Sequence, residues 1–240
     1  AGWLPWMRDQ RPIRLPLTPH TAADRLDPKQ GLGHPWRACS RPMLPLPLRI
    51  IRAEHGVLAA MLRTLPQVLA GRREPDFASL RAMLFYVDEF PERLHHPKES
   101  ELLFPKLRAR APELRAVLDE LDRDHAQGER TIRELQHSLL AWEQMGESRR
   151  EKFQHQLNHF ATRYLSHMRR EEEDVLPAAL KLLTEADWDD LDQAFAQNQD
   201  PLAGVSGPVE ADSQYAGLRH RILSHLPAPL GWAPATSSED

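Results

Sequence analysis

Four long stretches of the chain place apolar residues three and four positions apart, which is the spacing of one face of an α-helix. They follow Pro47, Asp76, Pro112 and Gly146 in turn. Helices of this kind are stable when they bury their apolar faces against one another, and short connections favour antiparallel neighbours. The pattern therefore predicts an all-α fold, an antiparallel up-down four-helix bundle with an irregular N-terminal arm and short C-terminal helices.

Capping residues predict where several helices begin. Ser148 with Glu151 three residues later has the form of a capping box and is expected to start the fourth long helix. Thr184 with Asp187 is expected to start a shorter helix over about residues 185–197. A last helix is predicted within 213–226.

Two prolines fall inside the second predicted helix. Proline lacks the N–H that an α-helix needs, and its ring crowds the carbonyl four residues earlier. We therefore expect a kink or a loosened turn at Pro91, and we expect Pro105 to bend or end the helix.

Composition divides the chain into three parts. Residues 1–47 hold nine of the 21 prolines and show no sustained helical period, so they are predicted to form a proline-rich irregular arm. Residues 48–183 are predicted to form the bundle, and residues 184–240 a C-terminal helical extension and tail.

Charge and composition exclude several classes of partner. The net charge of −4 gives no basic field for nucleic acid or anionic lipid, and no apolar run is long enough to cross a membrane. The single cysteine, Cys39, excludes an intramolecular disulfide and a thiolate cluster. We expect a cytoplasmic protein with no nucleic-acid or membrane partner, and the oligomeric state stays open.

Histidine and glutamate recur in an internal repeat. His95 and Glu99 are four residues apart, and 72 residues later His167 and Glu171 repeat this spacing. Each glutamate precedes a proline by six residues, and one more histidine stands 40 or 42 residues upstream of each pair. Four residues make about one turn of helix, so both side chains of a pair can reach one centre. The upstream histidines are His55 and His125.

These six side chains predict a metal site. Each histidine lies on the apolar face of a different long helix, and a buried unpaired carboxylate would cost several kcal/mol. Nitrogen and oxygen donors without sulfur suit two borderline ions bridged by the carboxylates, with coordination positions left open for a small molecule. Iron is the first choice, and manganese or zinc are the alternatives. The predicted metal ligands are His55, His95, Glu99, His125, His167 and Glu171.

Other candidates have weaker spacing. His96 is expected to face outward or to cap a neighbour, and Glu101 and Glu172 are expected to be surface charges more often than supporting groups. Tyr164, one turn before His167, is either a hydrogen-bond donor near the site or a core aromatic residue. Gly128 leaves a gap that either admits a diatomic ligand or allows close helix packing. Three further histidines lie off the apolar faces, His137 and His155 towards solvent and His159 less clearly.

The sequence resembles the hemerythrin-like, or HHE cation-binding, family over about residues 48–183. The resemblance rests on HHPKESELLFP and HMRREEEDVLP and on the upstream histidines in RAEHGVL and DRDHAQG. It implies a non-haem di-iron centre in a four-helix bundle, with the six residues above as ligands. The four-His, two-Glu set is more similar to di-iron proteins implicated in iron–sulfur cluster repair and nitric oxide chemistry than to the respiratory oxygen carriers. Those carriers place an Asp where Glu172 stands here.

These observations predict a di-iron protein that binds or senses O2 or a related small oxidant such as NO or peroxide. Its expected partner is that small diatomic or peroxide ligand. A redox enzyme that reduces peroxide or NO, or oxidises a substrate, is the alternative, and iron storage or delivery is a third possibility.

Overall fold

The computed structural model describes residues 44–70, 75–198, 200–203 and 215–226, and the regular secondary structure within them is helical. In chain order the helices are α1 (Leu46–Ala70), α2 (Phe77–Val87), α3 (His96–Lys98), α4 (Phe104–Arg110), α5 (Arg115–Met145), α6 (Arg150–Arg170), α7 (Leu176–Leu182), α8 (Glu185–Phe195) and α9 (Ala216–Leu223). The all-α fold class is therefore confirmed. Nearly all of the predicted arm lies outside the described residues, as does Cys39, and the three-part division stays a prediction.

Wider π-helical turns join several of these helices without a break. They are Asp88–His95, Glu99–Leu103 and Glu171–Val175. As a result, residues 77–110 form one continuous helical rod and residues 150–182 form another. We call these the second and fourth rods, with α1 and α5 as the first and third. α5 packs against α2 and α6, and α1 packs against α6, α2 and α8.

The repeated prolines account for two of the π turns. Pro105 cannot bond to the carbonyl of Glu101, so the helix widens and the N–H of Phe104 bonds to Glu99 five residues back. The N–H of Leu176, just before Pro177, bonds to Glu171 in the same way. The helix thus continues past Pro105 to Arg110 through a widened turn.

The turn at Pro91 is loosened as the sequence predicted, because Pro91 lies inside the π segment Asp88–His95. Each histidine–glutamate pair therefore lies beside a widened turn, and the internal repeat extends from the side chains to the backbone.

The two predicted capping boxes have different outcomes. Thr184 and Asp187 form a complete box at the start of α8. The Ser148 prediction is wrong, because residues Glu147–Arg149 form a 3-10 turn and α6 begins after Arg149 with no side-chain cap.

Apolar clusters lie along the rods on both sides of the histidine–glutamate pairs. One cluster joins α1, α4, α5, α7 and α8 and includes Phe104, Val175 and Phe195, all less than 2 % exposed. In the other direction along the rods, Trp142 packs on Phe77 and Phe153. The polar residues of the repeat therefore occupy the middle of a well-packed interior. No helix in the described part of the chain is long and apolar enough to cross a membrane.

The difference between the two caps can be measured. Thr184→Ala removes the hydroxyl that accepts from the Asp187 N–H, and should lower the free energy of unfolding by about 1 kcal/mol. Chemical denaturation would measure it. Ser148→Ala is the matched control, and its change should stay within about 0.5 kcal/mol; equal losses in both variants would contradict the assignment of the caps.

Candidate metal centre

Two carboxylates lie at the middle of the interior without the donors that buried carboxylates need. Glu99 and Glu171 are 0 % exposed, and none of their four oxygen atoms accepts a hydrogen bond of good geometry from a described residue. Such a pair would cost several kcal/mol if nothing else neutralised it. The oxygen atoms are therefore suited to a cation.

Imidazole nitrogens surround these oxygens. Glu99 Oε2 lies 3.2 Å from His95 Nε2 and 3.7 Å from His125 Nε2. Glu171 Oε2 lies 3.3 Å from His55 Nε2, and Glu171 Oε1 lies 3.2 Å from His167 Nε2. The His125 and His167 Nε2 atoms are only 3.0 Å apart. The structure thus brings all six predicted side chains together.

The six residues fall into two overlapping groups that could each hold an ion. One is His55, His95, Glu99 and Glu171, and the other is Glu99, His125, His167 and Glu171. Within each group the potential ligand atoms lie within 4.8 Å of one another. Both carboxylates belong to both groups, which is the arrangement required of bridging ligands.

Each of the four histidines turns Nε2 towards the carboxylates and Nδ1 towards an outer polar atom. At His55, His95 and His125, an Nδ1–H bound in this way leaves the Nε2 lone pair directed at the centre, as metal-ligating histidines require. The Nδ1 distances are 3.2 Å for His55 to Glu172, 2.5 Å for His95 to Glu54, 2.8 Å for His125 to Ser100 and 3.6 Å for His167 to Asp124.

These outer partners follow the same internal repeat. Each half of the repeat contains one upstream histidine and one histidine–glutamate pair. Glu54 stands directly before His55 and faces His95. Asp124 stands directly before His125 and faces His167. Ser100 directly follows Glu99 and faces His125 of the other half. Glu172 directly follows Glu171 and faces His55 of the other half. Of these four, only Glu172 is a candidate from the sequence, and Glu54, Ser100 and Asp124 are not. An acidic residue directly before each upstream histidine, in RAEHGVL and DRDHAQG, was the available signal.

The expectation that His96 faces outward is wrong. His96 is buried, its Nδ1 lies 3.2 Å from Glu92, and its ring stacks on His125 at 4.1 Å between centroids. It also forms a potential ligand group with His125 and His167. The second rod is covered on two sides. His96 is rotated by about 100° from His95 around the helix axis, so its side chain points towards α5 and α6 rather than to solvent.

The remaining candidates divide between the surface and the site. Glu101 is exposed as expected, and so are the three off-face histidines His137, His155 and His159. Glu172 departs from the surface prediction, because it accepts from His55 and pairs with Arg52. Tyr164 donates a hydrogen bond of 3.1 Å to His96 Nε2, so it supports that ring and not one of the six predicted ligands.

A small cavity of about 40 Å³ adjoins the His167 side of the centre. Its lining includes Glu92, His96, Gly128, Tyr164 and His167. A Cβ atom at Gly128 would lie 2.2 Å from Glu92 Oε2, so the gap predicted at this glycine is occupied by a carboxylate. Burial raises the pKa of Glu92 to about 7, and one of its oxygens, Oε1, has no hydrogen-bond partner among the described residues.

The carboxylates also control the charge of the histidines. Burial alone would lower the pKa of His167, but the charge of Glu171 and contacts with Asp124 and Glu171 outweigh it and raise the pKa to about 10. Burial opposes the same rise at His95, where Glu99 and Glu54 raise the pKa well above its usual range. Without a metal ion, protons take the place of the cation at these rings.

The comparisons with known proteins agree with this geometry. The model of the hemerythrin HHE cation binding domain matches residues 46–179, which is more than half of the chain. No curated protein and no solved structure gave a significant match. The matched region contains both histidine–glutamate pairs and both upstream histidines, and the chain therefore belongs to the hemerythrin HHE cation-binding family.

Proposed function

We propose that this protein is a non-haem di-iron protein that binds or senses O2 or a related small oxidant such as NO or peroxide. One observation carries the proposal: two fully buried carboxylates with unpartnered oxygens are ringed by four imidazoles whose Nε2 atoms face them. Four neutral nitrogen donors and two carboxylates match what a pair of iron ions prefers, with manganese or zinc as alternatives.

Each of the two ions would have the same number and kinds of ligands. His55 and His95 would bind one ion, His125 and His167 the other, and Glu99 and Glu171 would bridge both. The antiparallel up-down order of the four rods, which the sequence pattern predicts, would present these side chains from all four rods to one point.

When bound, the ion pair would supply coordination sites and electrons for a small oxidant. The protein's own residues limit what reaches it. The cavity beside His167 has room for only a very small molecule. Glu92, with a pKa of about 7, would be close to half protonated at neutral pH, so it could donate a hydrogen bond to the guest or accept one from it.

A redox enzyme is the second candidate, and a specific observation favours it. Tyr164, His96 and Glu92 form a hydrogen-bonded series along the wall of the cavity. Such groups could exchange protons with a substrate during turnover. Iron storage or delivery has no comparable observation in its favour.

Oxygen binding and turnover differ in reversibility, and absorption spectroscopy of the reduced, iron-loaded protein separates them. A new absorption band that forms with O2 and disappears when O2 is removed is the expected result. Rapid oxidation that does not reverse, together with repeated consumption of peroxide or NO in the presence of a reductant, would favour the enzyme instead.

The metal ligands can be tested one by one. The iron-loaded protein should contain two iron atoms per chain, and Glu99→Ala or Glu171→Ala should each remove much of this iron because a bridge is lost. Elemental analysis gives the answer. Glu101→Ala and Glu173→Ala are matched controls, because both side chains are exposed, and they should keep the normal content.

Glu172→Ala separates a bridging role from a supporting one. Glu172 touches the outer nitrogen of His55, so its loss should weaken iron binding by about 10- to 100-fold without emptying an iron-saturated site. An empty site in Glu172→Ala together with a full one in Glu171→Ala would contradict the ligand assignment.

Iron binding should also release protons. The pKa of His167 is raised to about 10, so the metal-free ring holds a proton at pH 7 that the metal must displace. The pKa values of His55 and His95 are raised as well, which favours a proton on those rings too. We expect about one proton or more per chain, measured as acidification of a weakly buffered anaerobic solution on adding Fe²⁺.

Since protons compete with the metal below each pKa, iron affinity should fall as the pH is lowered and rise towards pH 10. Glu171→Ala removes the charge that raises the pKa of His167 and should release fewer protons per iron bound. Equal proton release in both proteins would contradict this account.

A further inference from the structure

A segment beyond the family-matched region reaches the metal centre. The match ends at residue 179, whereas α8 packs on α1, the helix that carries His55. The ring of Phe195 meets His95 edge to face at 6.4 Å. Asn198, three residues further on, is 2 % exposed.

Asn198 continues a series of hydrogen bonds that ends at a predicted metal ligand. Its Nδ2 donates to Glu54 Oε1 at 3.0 Å, and Glu54 Oε2 accepts from His95 Nδ1 at 2.5 Å. Lys98 donates to the Asn198 Oδ1 atom. Each oxygen of the buried Glu54 carboxylate thus has its own partner, which fixes its plane relative to the His95 ring.

The segment that carries Asn198 is itself anchored in the interior. The Tyr86 hydroxyl donates to Asp200 Oδ2 at 2.6 Å, and both side chains are buried. Asp200 Oδ1 accepts the backbone N–H groups of Leu202 and Ala203. Asn198 therefore lies close to a turn that is fixed by hydrogen bonds.

In the second half of the site, His125 has Ser100 at 2.8 Å from its Nδ1 atom, but the described residues give His167 no support comparable to that of His95. The Nδ1 atom of His167 lies 3.6 Å from Asp124, beyond hydrogen-bond length. Asp124 is half-buried and is also bound by the exposed Arg163 at 2.7 Å. The cavity lies on this side, next to His167. The two halves thus share their ligand types but differ in how firmly those ligands are held.

We propose that Asn198 is a positioning residue for the metal ion that His55 and His95 would hold, and that Phe195, Asn198 and Asp200 make this the more firmly held of two unequal metal positions. The inference rests on the proposed di-iron function and adds a task for a segment outside the family match. Asn198 orients Glu54, Glu54 holds the His95 Nδ1–H, and the Nε2 lone pair is thereby kept on the centre.

Iron release to a strong ferrous chelator tests the inequality directly. In the reduced wild-type protein, two phases of equal amplitude are expected, one iron leaving fast and one slowly. Asn198→Ala removes the donor to Glu54, and Asn198→Asp replaces it with a like charge. Both variants should accelerate the slow phase by about 10- to 100-fold and leave the fast phase unchanged.

Two controls separate positioning from general stability. Gln197→Ala changes an exposed neighbour and should leave both phases as in the wild type. Mössbauer spectra of ⁵⁷Fe-loaded protein should show two iron signals, of which Asn198→Asp shifts one.

The outcomes distinguish this inference from the function on which it rests. A wild-type protein that does not bind two irons overturns the di-iron function and the inference with it. Two bound irons released in a single phase overturn the inference alone. Acceleration of both phases to the same extent, or of neither, in the Asn198 variants also overturns it.

Discussion

The structure depends on one electrostatic constraint, which is that two carboxylates are buried side by side without enough donors. Glu99 and Glu171 would repel each other and would lack the hydration that water gives them. The protein responds by surrounding them with imidazoles, which accept protons when no metal is present and can offer lone pairs when it is. A metal ion bound here would therefore link folding and pH through the same six side chains.

The backbone carries the same twofold repetition as the side chains. The π turns that begin at Glu99 and at Glu171 each end two residues before a proline, so the ring at Pro105 or Pro177 is accommodated by one extra residue in the turn. Leu103 and Val175, each four residues after its glutamate, are buried in one apolar cluster. The π turns next to these prolines thus connect the polar centre to the packed apolar cluster beside it.

Features that depend on the periodicity of a single helix could be predicted from the sequence. Features that depend on contacts between helices mostly could not. The four long helices, the loosened turn at Pro91 and the convergence of the six repeated side chains follow from spacing along single helices. The burial of His96 does not, because it depends on which rods cover that side of the helix. Asn198 lies 144 residues from the glutamate that it holds, and no local pattern relates the two.

At Gly128, the stability of helix α5 conflicts with the structure of the site. A glycine within the 31-residue α5 should cost about 1 kcal/mol relative to alanine, so this position is an obvious target for stabilising the protein by substitution. An alanine methyl group, however, would meet the Glu92 carboxylate at 2.2 Å and force it out of its place beside the cavity. A gain in thermostability at this position would therefore be obtained by sacrificing the local order of the pocket, as in other trade-offs between stability and activity.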